Sequence, residues 1–307
     1  MRIAIVAAGG IGGYFGALLA RAGEDVVFVA RGAHLEAIRR NGLTVEGGGG
    51  TFTVRGPAAA DPAELGPADF VLFAVKAYDT EQAAALLPPL LGPETPVLTL
   101  QNGIGHLEQI EKGAGPGRVL AGSVHLAVQI ASPGVIRHTA GAGKIVFGEP
   151  QGPATDRVRR IAATFQRAGI PHQVSADMPW VLWDKLLFIA GVGGVTALAR
   201  ADIGPLLASP EGLALLHASM VEVMAVARAR GVELGADAPD RMRKFASRLP
   251  ASWRSSLARD LEAGRRLETD ALNGAIVRLG RKLAIPTPVH LAIHACLKLH
   301  DAPAPLP

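Results

Sequence analysis

The sequence predicts an α/β protein in which an N-terminal parallel-sheet domain is followed by an all-α domain. Near the start, an apolar stretch at residues 3–6, a run of glycines and a second apolar stretch at residues 25–30 form a strand, turn, helix and strand pattern. Strand-like and helix-like stretches then alternate up to about Asp177, and only helical patterns follow. The alternation favours a Rossmann-type sheet, and the helical remainder indicates a second domain.

The glycine-rich turn reads Ala7-x-Gly9-x-x-Gly12, which has the spacing of a dinucleotide-binding motif. In this motif, the second glycine lets the backbone approach a pyrophosphate, and the third lets the helix pack closely on the strand. Ala7 replaces the usual first glycine, and we expect it to be suitable if its φ angle is negative. A helix is predicted from Tyr14. A purely structural glycine turn is the alternative interpretation.

Arg31 follows the second predicted strand. An acidic residue at this place would bind the ribose 2′-hydroxyl of NAD, whereas an arginine suits the 2′-phosphate of NADP. The alternative is an arginine that is simply solvated at a strand end.

Polar residues also follow two later strands. Lys76 comes after an apolar strand at residues 69–75, and Asn102 comes after a strand at residues 97–100. In open α/β sheets, ligands bind at the carboxyl ends of the strands, so both residues are candidates for binding. An exposed lysine and a turn-forming Asn-Gly pair are the structural alternatives.

The later elements are predicted from periodicity. We expect a helix over residues 80–91, strand-like stretches at residues 118–130 and 144–148, and an amphipathic helix over residues 155–168. The helical patterns of the second half begin near Met178, at Ser209-Pro210 and at residues 239, 256, 267 and 288. The predicted domains are therefore residues 1–176 and 177–307, with a proline-rich tail from about residue 301 that we expect to be disordered.

Composition limits the possible function classes. The chain has 307 residues, 49% of them hydrophobic, and a net charge of +4. Its basic clusters, at residues 157–160 and 241–244, lie in helical patterns and are expected to be solvated helix faces, so no nucleic-acid partner is predicted. The longest apolar run, residues 186–199, is too short to span a bilayer. We predict a soluble, cytoplasmic protein with no membrane partner and a possible homodimer.

A metal site is not expected. The single cysteine, Cys296, excludes an intrachain disulfide and a cysteine metal cluster. The histidines are dispersed, and His290 and His294 lack the acidic companions of a zinc motif.

Five stretches of the chain carry a more specific signal than the glycine turn alone. They are AAGGIGGYFGALLARAGEDVVFVAR, VKAYDT, QNGIG, WDKLLF and SSLARDLEAGRRLETDALNG. Together and in this order they resemble the ketopantoate reductase (2-dehydropantoate 2-reductase) family, and the resemblance covers nearly the whole length.

The resemblance implies an NADP-dependent oxidoreductase that acts on CH–OH groups. NADPH would reduce a 2-keto acid to a 2-hydroxy acid, with ketopantoate as the default substrate in pantothenate and coenzyme A biosynthesis. Lys185 resembles the general acid that protonates the developing alkoxide, and Glu268 resembles a partner in its hydrogen-bond network. The cofactor-binding residues implied are Ala7, Gly9, Gly10, Ile11, Gly12, Arg31, Lys76, Asn102, Ala127 and Glu268. The substrate-binding residues implied are Lys76, Asn102, Lys185, Ile189 and Ser256.

Each of the three residues from the C-terminal half also has a structural alternative. Lys185 is otherwise a surface lysine between tryptophans, Glu268 an exposed helix glutamate, and Ser256 a helix cap.

Three positions depart from the family pattern. Ile189, Gly193 and Ile203 stand where the family usually carries asparagines that bind the polar groups of ketopantoate. An unpaired hydroxyl in a buried pocket costs about 1–3 kcal/mol. The alternatives are therefore a family reductase that acts on a more apolar 2-oxo acid, and an NADPH-binding sensor without catalysis.

Overall fold

The computed structural model describes residues 1–47 and 49–301, which divide into two compact units. The sheet unit consists of Met1–Gln101 and His106–Met178, and the helical unit of Asn102–Gly105 and the chain from Pro179. The predicted boundary after residue 176 lies just before this division. The prediction of a disordered tail concerns residues 302–307, which lie outside the described residues.

The sheet unit alternates strands and helices. Its strands are β1 (Arg2–Val6), β2 (Asp25–Val29), β3 (Leu43–Glu46), β4 (Phe52–Val54), β5 (Ala58–Ala59), β6 (Phe70–Phe73), β7 (Val97–Thr99), β8 (Val119–Val124), β9 (Ala127–Ser132), β10 (Val135–Ala140), β11 (Ile145–Gly148) and β12 (His172–Val174). Its helices are α1 (Gly10–Arg21), α2 (Gly32–Asn41), α3 (Thr80–Ala84), α4 (His106–Ala114) and α5 (Asp156–Arg167). Short 3₁₀ helices lie at Pro62–Glu64, Ala77–Asp79 and Pro88–Leu90.

The main sheet has eight strands in the order β12-β11-β8-β7-β6-β1-β2-β5, and only the β11–β8 pair is antiparallel among its described pairs. A second sheet has the order β4-β3-β10-β9. Strand β1 is buried on both faces, because Ile3 and Ile5 pack in one apolar core while Ala4 and Val6 pack in another. The predicted parallel-sheet domain is confirmed.

Several predicted elements of the sheet unit have different bounds. The strand-like stretch at residues 118–130 contains the strand β8 and most of β9, and the hairpin partner β10 was not predicted. The helix expected over residues 80–91 ends at Ala84 and is followed by a 3₁₀ turn, because prolines at 88 and 89 remove amide donors.

The helical unit contains no strand among its described residues. Its helices are α6 (Met178–Leu186), α7 (Gly193–Ala199), α8 (Ile203–Ala208), α9 (Pro210–Ala229), α10 (Ala238–Ala246), α11 (Ser256–Glu262), α12 (Asn273–Lys282) and α13 (Pro288–Lys298). A π-helical turn, Leu187–Val192, joins α6 to α7. The predicted all-α domain is confirmed, although α12 begins at Asn273 and not at residue 267.

Two helical stretches, Met178–Ala199 and Pro210–Ala229, are long and apolar enough to cross a membrane by length and composition alone. The stretch Met178–Ala199 has 22 residues and is longer than the apolar run at residues 186–199. The expectation that this part of the chain is too short to span a bilayer is therefore wrong. In that stretch, 78% of the most apolar window is buried within the fold. Core packing in the helical unit therefore accounts for its apolar character.

Candidate active site

The glycine-rich turn brings α1 close to β1. Helix α1 begins at Gly10, earlier than the expected Tyr14. A Cβ on Gly12 would lie 2.1 Å from the carbonyl oxygen of Ala7, so a larger residue would push the helix off the strand. A Cβ on Gly9 would meet no described atom within 4 Å, which leaves room for a ligand against the backbone. Gly12 therefore allows the close packing of helix on strand, and Gly9 leaves the backbone open to a pyrophosphate, as the motif predicts.

The first turn of α1 fits a pyrophosphate group. Gly9 caps the helix without a side-chain hydrogen bond, and the turn, which is fully described, has no acidic side chain. The first amide groups of a helix have no intrahelical acceptor, and the helix dipole favours an anion at this end. The turn that carries Gly10, Ile11 and Gly12 can therefore hold the phosphates of a dinucleotide.

Ala7 has a φ angle of 70°, so the condition under which alanine was expected to be suitable, a negative φ, is not met. A residue with a Cβ in this left-handed region costs about 1–2 kcal/mol, because the Cβ crowds the following carbonyl oxygen. The next residue is fixed on both sides: the amide of Ala8 donates to the carbonyl oxygen of Val29 at 3.0 Å, and its carbonyl oxygen lies 2.8 Å from Nε2 of His34. These contacts hold the strained turn in place.

We expect the Ala7→Gly variant to unfold with a free energy about 1 kcal/mol higher than that of the wild type, because glycine adopts a positive φ without steric cost. The extra freedom of glycine in the unfolded chain reduces this gain but does not cancel it. Urea unfolding measures the difference. Ala8→Gly is the matched control, since Ala8 is buried and its φ angle lies outside the left-handed region. This change is expected to lower the free energy of unfolding. A loss of stability in both variants would contradict the prediction.

Strand β9 covers the start of α1. A Cβ on Gly10 would lie 2.9 Å from the carbonyl oxygen of Val128, so the β9 backbone lies directly on the first helical turn. Ala127, the first residue of β9, is half-buried and precedes this contact. The structure therefore brings Ala127 close to the turn that fits the pyrophosphate.

Arg31 and Lys76 follow the two strands that flank β1. Strands β2 and β6 both pair with β1 in parallel, so their carboxyl ends share one edge with the glycine turn. The side chain of Arg31 is 70% exposed, and its Nη2 lies 3.4 Å from Oδ2 of Asp79. Lys76 is also exposed and immediately precedes the 3₁₀ turn that carries Asp79. Arg31 and Lys76 thus place two positive charges at the sheet edge that carries the glycine turn.

Asn102 groups with the helical unit although it follows a strand of the sheet unit. A Cβ on Gly103 would lie 2.7 Å from the carbonyl oxygen of Ala271, so this loop packs tightly on the helical unit. The amide of Ala271 donates to the carbonyl oxygen of Glu268 at 3.1 Å. The QNGIG stretch therefore lies against the turn that carries Glu268.

Lys185 and Glu268 are both buried, with 6% and 7% of their surfaces exposed. Burial lowers the pKa of Lys185 from 10.5 to about 8, and the negative charge of Glu268 opposes this shift. Glu268 lies in a turn before α12, not on a helix. The surface-lysine and exposed-glutamate alternatives are therefore wrong. An ammonium group with a pKa near the working pH is suited to act as a general acid.

Two residues that the sequence analysis did not identify as functional hold α6 in place. Arg241 donates to Oδ1 of Asp184, the neighbour of Lys185, from Nη1 at 3.1 Å and from Nη2 at 3.0 Å. Arg243 and Lys244 are exposed, as expected for a solvated face, whereas Arg241 is half-buried and paired with Asp184. The two partners are far apart in the chain, so periodicity gave no signal for this pair.

The π-helical turn after Lys185 is held by a buried amide. Asn273 is fully buried and donates from Nδ2 to the carbonyl oxygen of Ala190 at 2.9 Å. The same nitrogen lies 3.0 Å from Nδ1 of His290, whose pKa burial lowers to about 4, so the imidazole stays neutral and accepts. π turns within helices occur frequently at functional sites. Asn273 lies in the matched ETDALNG stretch, but its role could not be inferred from spacing.

Ser256 is exposed at the first position of α11, while its neighbour Ser255 is buried. The hydroxyl of Ser255 accepts the amide of Ala258 at 3.1 Å and so forms the N-cap of α11. The helix-cap alternative for Ser256 is therefore wrong, and its hydroxyl is not needed for capping.

The three departures from the family pattern lie in different surroundings. Ile203 is fully buried, and its amide donates to the carbonyl oxygen of Trp253 at 3.0 Å, so it is a core residue. A Cβ on Gly193 would lie 3.4 Å from the Cβ of Ser255, at ordinary van der Waals distance, so Gly193 faces Ser255. Ile189 is half-buried within the π turn. Packing thus explains an apolar residue at Ile203.

Two family descriptions match the chain. Residues 3–152 match "Ketopantoate reductase PanE/ApbA", and residues 177–301 match the C-terminal domain of the same family. A 2-dehydropantoate 2-reductase from Mesorhizobium japonicum is 36% identical over 319 residues, covering 97% of both chains. One from Halobacterium salinarum is 36% identical over 292 residues, covering 94% of this chain and 95% of its own.

Solved structures agree with these matches. A PanE/ApbA family ketopantoate reductase from Ralstonia eutropha JMP134 has a TM-score of 0.90 and 37% identity, covering 98% of both chains. A 2-dehydropantoate 2-reductase from Geobacter metallireducens has a TM-score of 0.91 and 33% identity, covering 97% of this chain and 99% of its own.

Proposed function

Because the chain belongs to the ketopantoate reductase family, we propose that it catalyses the NADPH-dependent reduction of ketopantoate to pantoate. It is an oxidoreductase that acts on CH–OH groups, and its family uses NADPH. The observation that carries the proposal is the buried Lys185, whose pKa of about 8 suits a general acid.

The sheet unit binds the cofactor in this proposal. The first turn of α1 holds the pyrophosphate at Ala7, Gly9, Gly10, Ile11 and Gly12, with Ala127 beside it. The guanidinium of Arg31 pairs with the 2′-phosphate, since its planar donors match phosphate oxygens. Lys76 adds a second positive charge at the same sheet edge.

The helical unit supplies the proton. When NADPH is bound, the chemistry that it supplies is hydride donation to the C2 carbonyl carbon of the keto acid. Lys185 donates a proton from its ammonium to the carbonyl oxygen as negative charge develops there, which yields the C2 hydroxyl. Glu268 keeps Lys185 charged, because its carboxylate opposes the effect of burial on the lysine pKa.

Polar side chains bind the substrate in this proposal. Ser256 binds its carboxylate, while Lys76 and Asn102 orient the keto acid and the cofactor. The relatives named 2-dehydropantoate 2-reductase favour ketopantoate over a more apolar 2-oxo acid and over a sensor without catalysis. The burial of Ile203 in the core accounts for one of the three positions that lack the family's asparagine.

The test is NADPH oxidation with ketopantoate and, separately, with 2-ketoisovalerate, which lacks the terminal hydroxyl. Faster turnover of ketopantoate supports the proposed function. Turnover of 2-ketoisovalerate alone would keep the chemistry and change the substrate. Tight NADPH binding without turnover of either keto acid would indicate a sensor and overturn the proposal.

Cofactor preference gives a prediction of its own. We expect Arg31→Ala to raise the KM for NADPH by about 10- to 100-fold while the KM for NADH changes little, because only NADPH carries the 2′-phosphate. Steady-state kinetics with both cofactors measures the split. Arg55→Ala is the control, since Arg55 is an exposed arginine of the same unit. Equal losses for both cofactors in Arg31→Ala would contradict a role at the 2′-phosphate.

We further propose that the enzyme works in pantothenate and coenzyme A supply in the cytoplasm, with a small 2-keto acid as its substrate. Neither a membrane nor a nucleic acid is part of this proposal. A homodimer stays a prediction, which sedimentation or light scattering tests.

A further inference from the structure

His34 on α2 connects the glycine-rich turn to the β9–β10 hairpin. Its Nε2 lies 2.8 Å from the carbonyl oxygen of Ala8, and its Nδ1 lies 3.0 Å from the amide nitrogen of Gly134. A carbonyl oxygen can only accept and an amide can only donate, so the proton of the neutral ring is on Nε2. Both ring nitrogens are therefore used within the protein, and the orientation of the imidazole is fixed.

The bond to Ala8 acts on the most strained part of the turn. Ala7, one residue earlier, has a φ of 70°, which a residue with a Cβ adopts at a cost. The amide of Ala8 is already held by the carbonyl oxygen of Val29 at 3.0 Å. His34 holds the carbonyl group of Ala8, which belongs to the next peptide unit, between Ala8 and Gly9. Together the two bonds fix the orientation of the peptide planes between Ala7 and Gly9.

The bond to Gly134 acts on the element that covers the start of α1. Gly134 lies in the turn between β9 and β10, has a φ of 79°, and packs against α2 at Ala37. The same hairpin lies on α1, since a Cβ on Gly10 would be 2.9 Å from the Val128 carbonyl oxygen. One side chain thus holds both the turn that faces the ligand and the strand that covers it.

We infer that His34 is a positioning residue for cofactor binding, which holds the Ala7–Gly9 turn in the shape that receives the pyrophosphate of NADPH. This inference rests on the proposed binding of NADPH at the first turn of α1. His34 touches no phosphate in this role; it acts through the carbonyl of Ala8. The role predicts a change in cofactor affinity and not merely a change in fold stability.

Two amide side chains separate the two hydrogen bonds of the imidazole. The Nε2 of glutamine takes the place of the imidazole Nε2, so His34→Gln keeps a donor to Ala8. The Oδ1 of asparagine takes the place of Nδ1, so His34→Asn keeps only an acceptor for Gly134. His34→Ala removes both bonds. The matched control is His172→Ala, because His172 is a half-buried histidine of the same unit that contacts the carbonyl oxygen of Ile170 at the far edge of the sheet.

The measurement is the Kd of NADPH for the folded protein, followed by the change in nucleotide fluorescence, together with KM and kcat. We expect His34→Ala and His34→Asn to raise the Kd and the KM for NADPH about tenfold, with kcat at saturating NADPH unchanged. His34→Gln and His172→Ala are expected to bind as the wild type does. An unchanged Kd in His34→Asn, or a loss of affinity in His34→Gln with none in His34→Asn, would overturn the inference.

A second measurement uses the strain at Ala7. Glycine at this position adopts the turn unaided, so Ala7→Gly is expected to restore most of the affinity lost in His34→Asn. If the effects of the two changes on the Kd were purely additive, the hydrogen bond from His34 to the Ala8 carbonyl oxygen would not act through the strained turn. The wild type separates the two claims: if it does not bind NADPH, the proposed function fails, whereas normal wild-type binding with unaffected His34 variants overturns only the role of His34.

Discussion

Replacing Lys185 by alanine is expected to lower kcat/KM for ketopantoate by about 10²- to 10⁴-fold while the Kd of NADPH stays close to the wild-type value. The developing alkoxide then has no buried proton donor, whereas the cofactor-binding residues of the sheet unit are unchanged. In the wild type, kcat/KM is expected to fall as the pH rises above about 8, because the lysine loses the proton that it must donate. NADPH oxidation over a pH series measures both effects.

Lys244→Ala is the matched control for this variant, since Lys244 is an exposed lysine of the same unit. It is expected to keep the wild-type rate and pH profile. Lys185→Met adds a second test, because it fills the buried site with an apolar chain of similar length and still lacks the proton. If Lys185→Met kept the wild-type kcat, proton donation by Lys185 would be excluded, and the pKa of about 8 would be only a result of burial.

Local patterns were sufficient to predict the parallel sheet. Strand β1 reads as a short apolar run because both of its faces are buried, and the glycine spacing marks the turn after it. The start of α1 was placed too late, since glycines at positions 10, 12 and 13 have low intrinsic helix propensity. Packing against β1 and β9 overrides that propensity, and tertiary contacts of this kind are not visible in a local window.

The candidate site could be predicted only where its residues lie in contiguous motifs. Lys185 and Glu268 were found through the WDKLLF and ETDALNG stretches, but their burial beside each other depends on the folding of distant segments. The partners that hold these motifs come from elsewhere: Arg241 reaches Asp184 across 57 residues of chain. A contact of this kind has no periodicity, so the sequence contained no signal for it.

Ala7 is a clear case of a wrong expectation with a physical cause. Alanine was expected to be suitable only with a negative φ, because a Cβ disfavours the left-handed region. The protein instead keeps the geometry of the usual glycine and holds it with the contacts of Ala8. Local propensity is thus overruled where a ligand-binding turn needs a particular shape.

Removing the charge of Glu268 is expected to move the activity profile to lower pH. The carboxylate raises the pKa of Lys185 against the larger, opposing effect of burial. In Glu268→Gln only burial remains, so the lysine pKa falls below about 8 and the ammonium is lost at a lower pH. On the alkaline side of the pH profile, here called the basic limb, kcat/KM falls as the lysine loses its proton. We expect this fall to occur at a pH about one unit lower, or more. The activity at pH 7 then falls about twofold or more and recovers as the pH is lowered.

The pH series for Glu268→Gln is compared with Glu233→Gln, which neutralises an exposed glutamate of the same unit and is expected to leave the limb in place. A limb that stays at the wild-type pH while kcat falls would mean that Glu268 acts on the substrate or cofactor and not on Lys185. A limb that moves to higher pH would contradict the electrostatic role altogether, because loss of a negative charge cannot stabilise an ammonium group. The direction of the shift therefore decides whether the buried pair works as a unit.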